Sequence, residues 1–94
     1  MKEMSIFFTV WIGGGIFIAN SHPAVLNCIF SDNSAKLFGG GMYSAGKSSP
    51  LVVNCTFSRN SAGFAGGGLY CADGYAALIN CILWGDTPGE VSII

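Results

Sequence analysis

Four residues near the middle of the chain have the types and spacing for phosphate chemistry. Gly41, Gly46, Lys47 and Ser48 satisfy G-x-x-x-x-G-K-[ST], the loop in which backbone amides and a lysine cradle nucleotide phosphates. That chemistry needs a buried strand before the loop and, after it, a helix whose first amides face the anion. Here Pro50 stands two residues after Ser48, and the following LVVNCTF reads as strand. Ser49, preceding a proline, is biased toward extended geometry. No acidic residue follows an apolar strand in the manner of a magnesium-binding partner. The match at residues 41–48 is therefore read as a chance pattern in a turn, and no nucleotide is expected.

The other reactive side chains are equally sparse. Cys28, Cys55, Cys71 and Cys81 include no C-x-x-C pair, so metal-ligand spacing is absent. Cys28, Cys55 and Cys81 recur at intervals of 27 and 26 residues, which suits buried thiols acting as small hydrophobes. Whether Cys71 finds a disulfide partner is left open. The acids Glu3, Asp32, Asp73, Asp86 and Glu90 fall in different places of the pattern described below, with no cluster evident. His22 stands alone before Pro23. Asp32 and Arg59 share one repeat position and read as an exposed ion pair, worth about 0–1 kcal/mol. No catalytic constellation, metal site or cofactor site is expected.

What elements hold these residues? Ninety-four residues suit one small domain, or a piece of a larger one. The hydrophobic fraction is 51%, which argues against disorder although 14 residues are glycine. A net charge of −1 with Lys2, Lys36, Lys47 and Arg59 scattered singly leaves no electrostatic footprint for nucleic acid. The run SIFFTVWIGGGIFIA near the start is strongly apolar but shorter than the roughly 20 residues of a membrane helix, and three glycines interrupt it. Lys2 followed by an apolar run has the character of an export signal. No small-x-small cleavage site stands out near Ala19, however, and half of the run belongs to a repeat.

That repeat decides the architecture. Residues 13–38, 39–65 and 66–94 each open on a glycine triplet, and Gly13, Gly39 and Gly66 lie 26 and 27 residues apart. Asn-Cys recurs at 27–28, 54–55 and 80–81, and Asn-Ser-Ala at 33–35 and 60–62. In VLNCIF, Leu26, Cys28 and Phe30 alternate with Asn27 and Ile29, so one strand with those three residues inward is expected, and likewise in the later units. A second strand is expected after each triplet, in IFI, MYS and LYC. Asn20, Gly46 and Asp73 share a slot between the strands, which predicts a left-handed residue there.

Units this short cannot bury an apolar face alone. Coiled so that equivalent strands pair about 4.8 Å apart, they stack like residues into columns. The expected columns are Cys28, Cys55 and Cys81, with Asn27, Asn54 and Asn80 beside them. Asn33 and Asn60 form another, with Asp86 in their slot, and the asparagines are read as hydrogen-bonding ladders. Phe17, Tyr43 and Tyr70 share a position out of phase with the inward residues, which makes them the candidate binding surface. Residues 1–12 lack the pattern and are read as a cap or truncated coil. The final EVSII has no polar cap, so a fragment of a longer array, able to self-associate through its ends, is expected.

GGGMY, LVVNCTFSRNSA and NCILWGD together resemble right-handed parallel β-helix repeats of the pectin-lyase-like superfamily. The likeness is greatest to bacterial surface proteins of the chlamydial polymorphic outer membrane type, with GG-[AG]-[ILM] and F-x-x-N motifs. The first motif is matched at residues 13–16, 39–42 and 66–69, and the second by Phe30 to Asn33 and Phe57 to Asn60. The resemblance implies an all-β solenoid of about three coils, secreted or on the cell surface. It implies a structural or adhesive role, with carbohydrate or a surface protein as partner. The alternative it allows is part of a polysaccharide lyase or glycoside hydrolase whose catalytic coils lie outside this chain. Fold alone does not choose between them.

Overall fold

A computed structural model describes residues 4–6, 9–10 and 14–94, with side chains for 14–94. Among these residues every regular element is a strand. The first coil contains β1 (Met4–Ile6) and β2 (Thr9–Val10), then β3 (Ile16–Ala19) and β4 (Ala24–Leu26). The next contains β5 (Cys28–Ser31), β6 (Ser34–Ala35), β7 (Met42–Ala45) and β8 (Leu51–Val53). Then come β9 (Thr56–Ser58), β10 (Ser61–Ala62), β11 (Leu69–Cys71) and β12 (Ala77–Ile79), and finally β13 (Ile82–Trp84) and β14 (Val91–Ile93).

The strands form four parallel sheets along one axis, ordered β1-β5-β9-β13, β2-β6-β10, β3-β7-β11-β14 and β4-β8-β12. Register follows the repeat: Phe30 pairs with Phe57 and Phe57 with Leu83, while Ile16, Met42, Leu69 and Val91 form one line across the third sheet. Each coil thus supplies the backbone partners of the next. β1 and β2 pair with β5 and β6, so residues 4–6 and 9–10 are built into the solenoid.

One expectation needs correction. VLNCIF is not a single alternating strand: Asn27, Asn54 and Asn80 break it with φ of 54°, 55° and 55°. The left-handed residue resets the phase, so Val25 and Cys28 both face inward and Leu26 is exposed. Asparagine tolerates this conformation better than most side chains, which explains its recurrence at that corner. Asn20, Gly46 and Asp73 make a second left-handed corner, and Asp32, Arg59 and Gly85 a third.

The core is a stacked column of apolar side chains. Phe30 and Phe57 are fully buried, their rings parallel within 2° at 4.5 Å. Met42, Val52, Leu69, Cys55 and Cys71 complete it. The glycine triplets serve two needs. Gly39 and Gly66 open them at φ 67° and 65°, and a β-carbon on Gly41 would stand 2.6 Å from the Gly68 carbonyl oxygen.

Candidate functional site

The phosphate-loop pattern is spent on structure. Residues 42–45 are β7, Gly46 and Lys47 turn the corner at φ 67° and 62°, and strand β8 follows. Ser48 is buried; its Oγ donates to the Ala45 carbonyl at 2.7 Å and accepts from the Ser21 amide at 3.1 Å. Gly41 lies against the next coil, as described above.

All four cysteines are free thiols. Cys28, Cys55 and Cys81 stack as expected. Their Sγ atoms point at carbonyl oxygens: Cys28 at Leu26, Cys55 at Val25 and Val53, Cys81 at Val52 and Ile79, at 3.2–3.4 Å. Burial pushes the Cys55 thiol above its ordinary pKa. Cys28 and Cys55 are thiols held as weak donors in the buried core, while Cys81 is partly exposed.

The two asparagine rows have different jobs. Asn27, Asn54 and Asn80 sit on the outer corner, where Asn80 Nδ2 donates to Asn54 Oδ1 at 2.6 Å in an exposed setting. Asn33 and Asn60 are buried. Asn60 Oδ1 accepts from the Asn33 amide at 3.0 Å and from its Nδ2 at 3.1 Å, and Asn60 Nδ2 donates to the Phe30 carbonyl at 3.0 Å. Asp86 continues this row: its Oδ1 accepts from the Asn60 amide at 2.8 Å and from Nδ2 at 2.7 Å.

Asp32 and Arg59 form a two-pronged exposed pair, with Nε–Oδ1 at 3.0 Å and Nη2–Oδ2 at 3.1 Å. The guanidinium hydrogen bond lowers the Asp32 pKa. His22 and Asp73 are exposed at turns. Glu3 lies outside the described residues. Asp86 and Glu90 fall in different slots of the repeat, yet the structure brings their carboxyls together. Among the described residues, no group of three or more His, Cys, Asp or Glu could hold a metal ion. A concavity of about 430 Å³ beside β3 and β4 is lined by apolar residues such as Ile18, Pro23 and Val25, together with Cys28.

The aromatic column differs from a flat three-ring strip. Phe17, Tyr43 and Tyr70 do share one register position, with ring centroids 5.4 and 5.3 Å apart. But Phe38, from the segment after β6, lies 4.5 Å from the Tyr70 ring and leaves Tyr70 only 6% exposed. The surface that remains is a ridge running Phe17, Tyr43, Phe38, Phe64, each ring in contact with the next at 5.4, 6.2 and 5.9 Å. Its ends are open, with Phe17 58% and Phe64 68% exposed. Phe38 and Phe64 were missed because they fall in the segment between the Asn-Ser-Ala motif and the glycine triplet, where no strand alternation flags them. Their common spacing of 26 residues was the available signal.

No helix among the described residues is long and apolar enough to cross a membrane. No curated protein and no solved structure matches the chain significantly. A family model described as a right-handed β-helix region matches residues 6–87. With the parallel sheets and their repeat-length register already in place, the conclusion is direct: the chain belongs to the right-handed β-helix family.

Proposed function

We propose that this chain is a non-enzymatic, adhesive β-helix segment of a secreted or surface-exposed protein, which binds a neutral saccharide on its aromatic ridge. The observation that carries the reading is the pair of open rings, Phe17 and Phe64, bound into one row by Tyr43 and Phe38. Ring faces fixed by neighbours lose little freedom on binding, so the surface is preorganised. Exposed apolar rings on a folded surface commonly mark an interface. None of the four ridge residues carries a charge, which favours an uncharged ligand that offers C–H faces to the rings. Asp86, one of the two acids that approach each other, is buried, which weighs against hydrolytic chemistry on this segment.

The test is retention of the chain on insoluble neutral polysaccharides, with acidic polysaccharides in parallel. The double variant Phe17→Ala, Phe64→Ala should lose at least tenfold in retention while its far-UV circular dichroism is unchanged, since both rings are mostly in solvent. Equal retention of variant and parent would overturn the proposal, as would binding confined to a protein ligand. Turnover of any polysaccharide by the chain would overturn the non-enzymatic part.

A further inference from the structure

The last coil brings together two carboxyl groups, Asp86 and Glu90, each with one buried oxygen that has no hydrogen-bond donor. Asp86 occupies the slot held by Asn33 and Asn60 in the preceding coils and is 4% exposed. Its Oδ1 is satisfied by Asn60, but Oδ2 is sealed from solvent and meets no donor, and the same is true of Glu90 Oε1. The two side chains are within hydrogen-bonding contact. An ionised carboxylate has acceptors only, so two of them in contact repel unless a proton lies between them. Around Asp86, Asn60 contributes a neutral amide and Gly68 only backbone. Arg59, next to Asn60, is turned outward onto Asp32. Among the described residues, Glu90 is the charged group that acts on Asp86.

We infer that Asp86 and Glu90 share one proton and form an acid-closed latch that holds residues 86–94 against the preceding coil. The latch sits in the middle of that attachment. Asn60 and Ala62 exchange backbone bonds with Thr87, while the amides of Gly67 and Leu69 donate to the carbonyls of Gly89 and Glu90. β14 then continues along β11. When the proton leaves to solvent, a second negative charge remains where water does not reach, and the attachment must loosen to hydrate it.

The direction follows from the shift. Burial first, and then the bond to Glu90, push the Asp86 pKa up from 3.8 to about 6. A folded-state value above the unfolded one means that the contribution is complete below the ordinary carboxylate range and is lost as pH rises through about 6. The end of the coil is tight in mild acid and looser at neutral pH.

Two readouts on the full chain test this: carboxyl carbon shifts by NMR from pH 3 to 8, and amide hydrogen exchange at Gly67 and Leu69, corrected for intrinsic rates. The parent should show one coupled titration near pH 6, and about a tenfold fall in protection between pH 5 and 7, the factor that a move from 3.8 to about 6 implies. In Glu90→Gln the new amide can donate to Asp86 Oδ2, so that fall should shrink, with only the effect of burial left. Asp86→Asn, which restores the residue of the other coils, should remove it independently. Ordinary titration of both carboxyls would overturn the latch, as would pH dependence that persists in both variants. Recovery of protection at neutral pH on adding calcium or magnesium alone would replace the proton by a cation and overturn it as well.

Discussion

Replacing Asn60 with alanine should cost far more than the chemistry of one surface amide suggests. The side chain accepts two hydrogen bonds from Asn33 and donates two more, to Phe30 and Asp86, all of them buried. Truncation leaves the Asn33 backbone amide without this acceptor, at about 1–3 kcal/mol for a buried donor, and removes three further bonds at about 1 kcal/mol each. Even with partial relaxation the loss should be about 4 kcal/mol. A chain of 94 residues has a total stability of roughly 5–14 kcal/mol. The variant should therefore be barely folded. The matched control is Asn54→Gly. Asn54 is exposed, makes one exposed bond with Asn80, and sits at φ 55°, which glycine adopts freely. That change should cost under about 0.5 kcal/mol, as surface substitutions generally do. Urea unfolding followed by far-UV circular dichroism measures both. If Asn60→Ala lies within 1 kcal/mol of the parent, or if Asn54→Gly costs as much, the division of the asparagines into buried ladder and outer corner is wrong.

Two further outcomes follow from the coil-to-coil contacts. Gly41→Ala would place a methyl carbon 2.6 Å from the Gly68 carbonyl oxygen and 2.8 Å from the Phe57 ring, so unfolding should shift by about 1–3 kcal/mol through overpacking. Neutral thermal or urea stability would show that the triplet does not set the coil spacing. Alkylation of the native chain, read by mass spectrometry, should modify Cys81 first, because Cys28, Cys55 and Cys71 are buried. In denaturant all four thiols should react. Equal native rates, or thiols lost to disulfides, would contradict the stacked-thiol core.

The fold was legible because the repeat is imposed by the hydrogen-bond ladder itself. A residue 26 or 27 positions away must present the same shape to the same neighbours, so Phe30 and Phe57, or Met42 and Leu69, announce their pairing by type. The error at VLNCIF has a local cause. Apolar alternation cannot show a left-handed residue in the middle of a run, and Asn27 looks like a polar outward position whether the strand continues or turns. Asparagine repeated in three coils at one place was the stronger evidence, since a strand gains nothing from it. The Asp86–Glu90 contact was hidden for a different reason. From Asn60 to Gly68 is eight residues, whereas from Asp86 to the equivalent Glu90 is four, and this shortening shifts the end of the chain out of the repeat frame.

The same logic bears on where function can reside in such a molecule. Inward columns are constrained by packing: a change in Phe57 must be answered by Phe30 and Leu83 on either side. Corner columns are constrained by backbone conformation. Only outward positions and the segments between strands are free to vary without cost to the coil. Phe17 and Phe64 occupy those free positions, yet each rests on another aromatic ring, an arrangement the coil does not require for its own closure. Tyr70 shows the contrast, because it shares the column of Phe17 but is buried beneath Phe38 and so works as a foundation for the ridge. Removing the Phe38 ring should therefore disturb binding through the position of Tyr43 and Phe64, even though Phe38 itself is half covered. A ligand that recognised only single exposed rings would be insensitive to that loss.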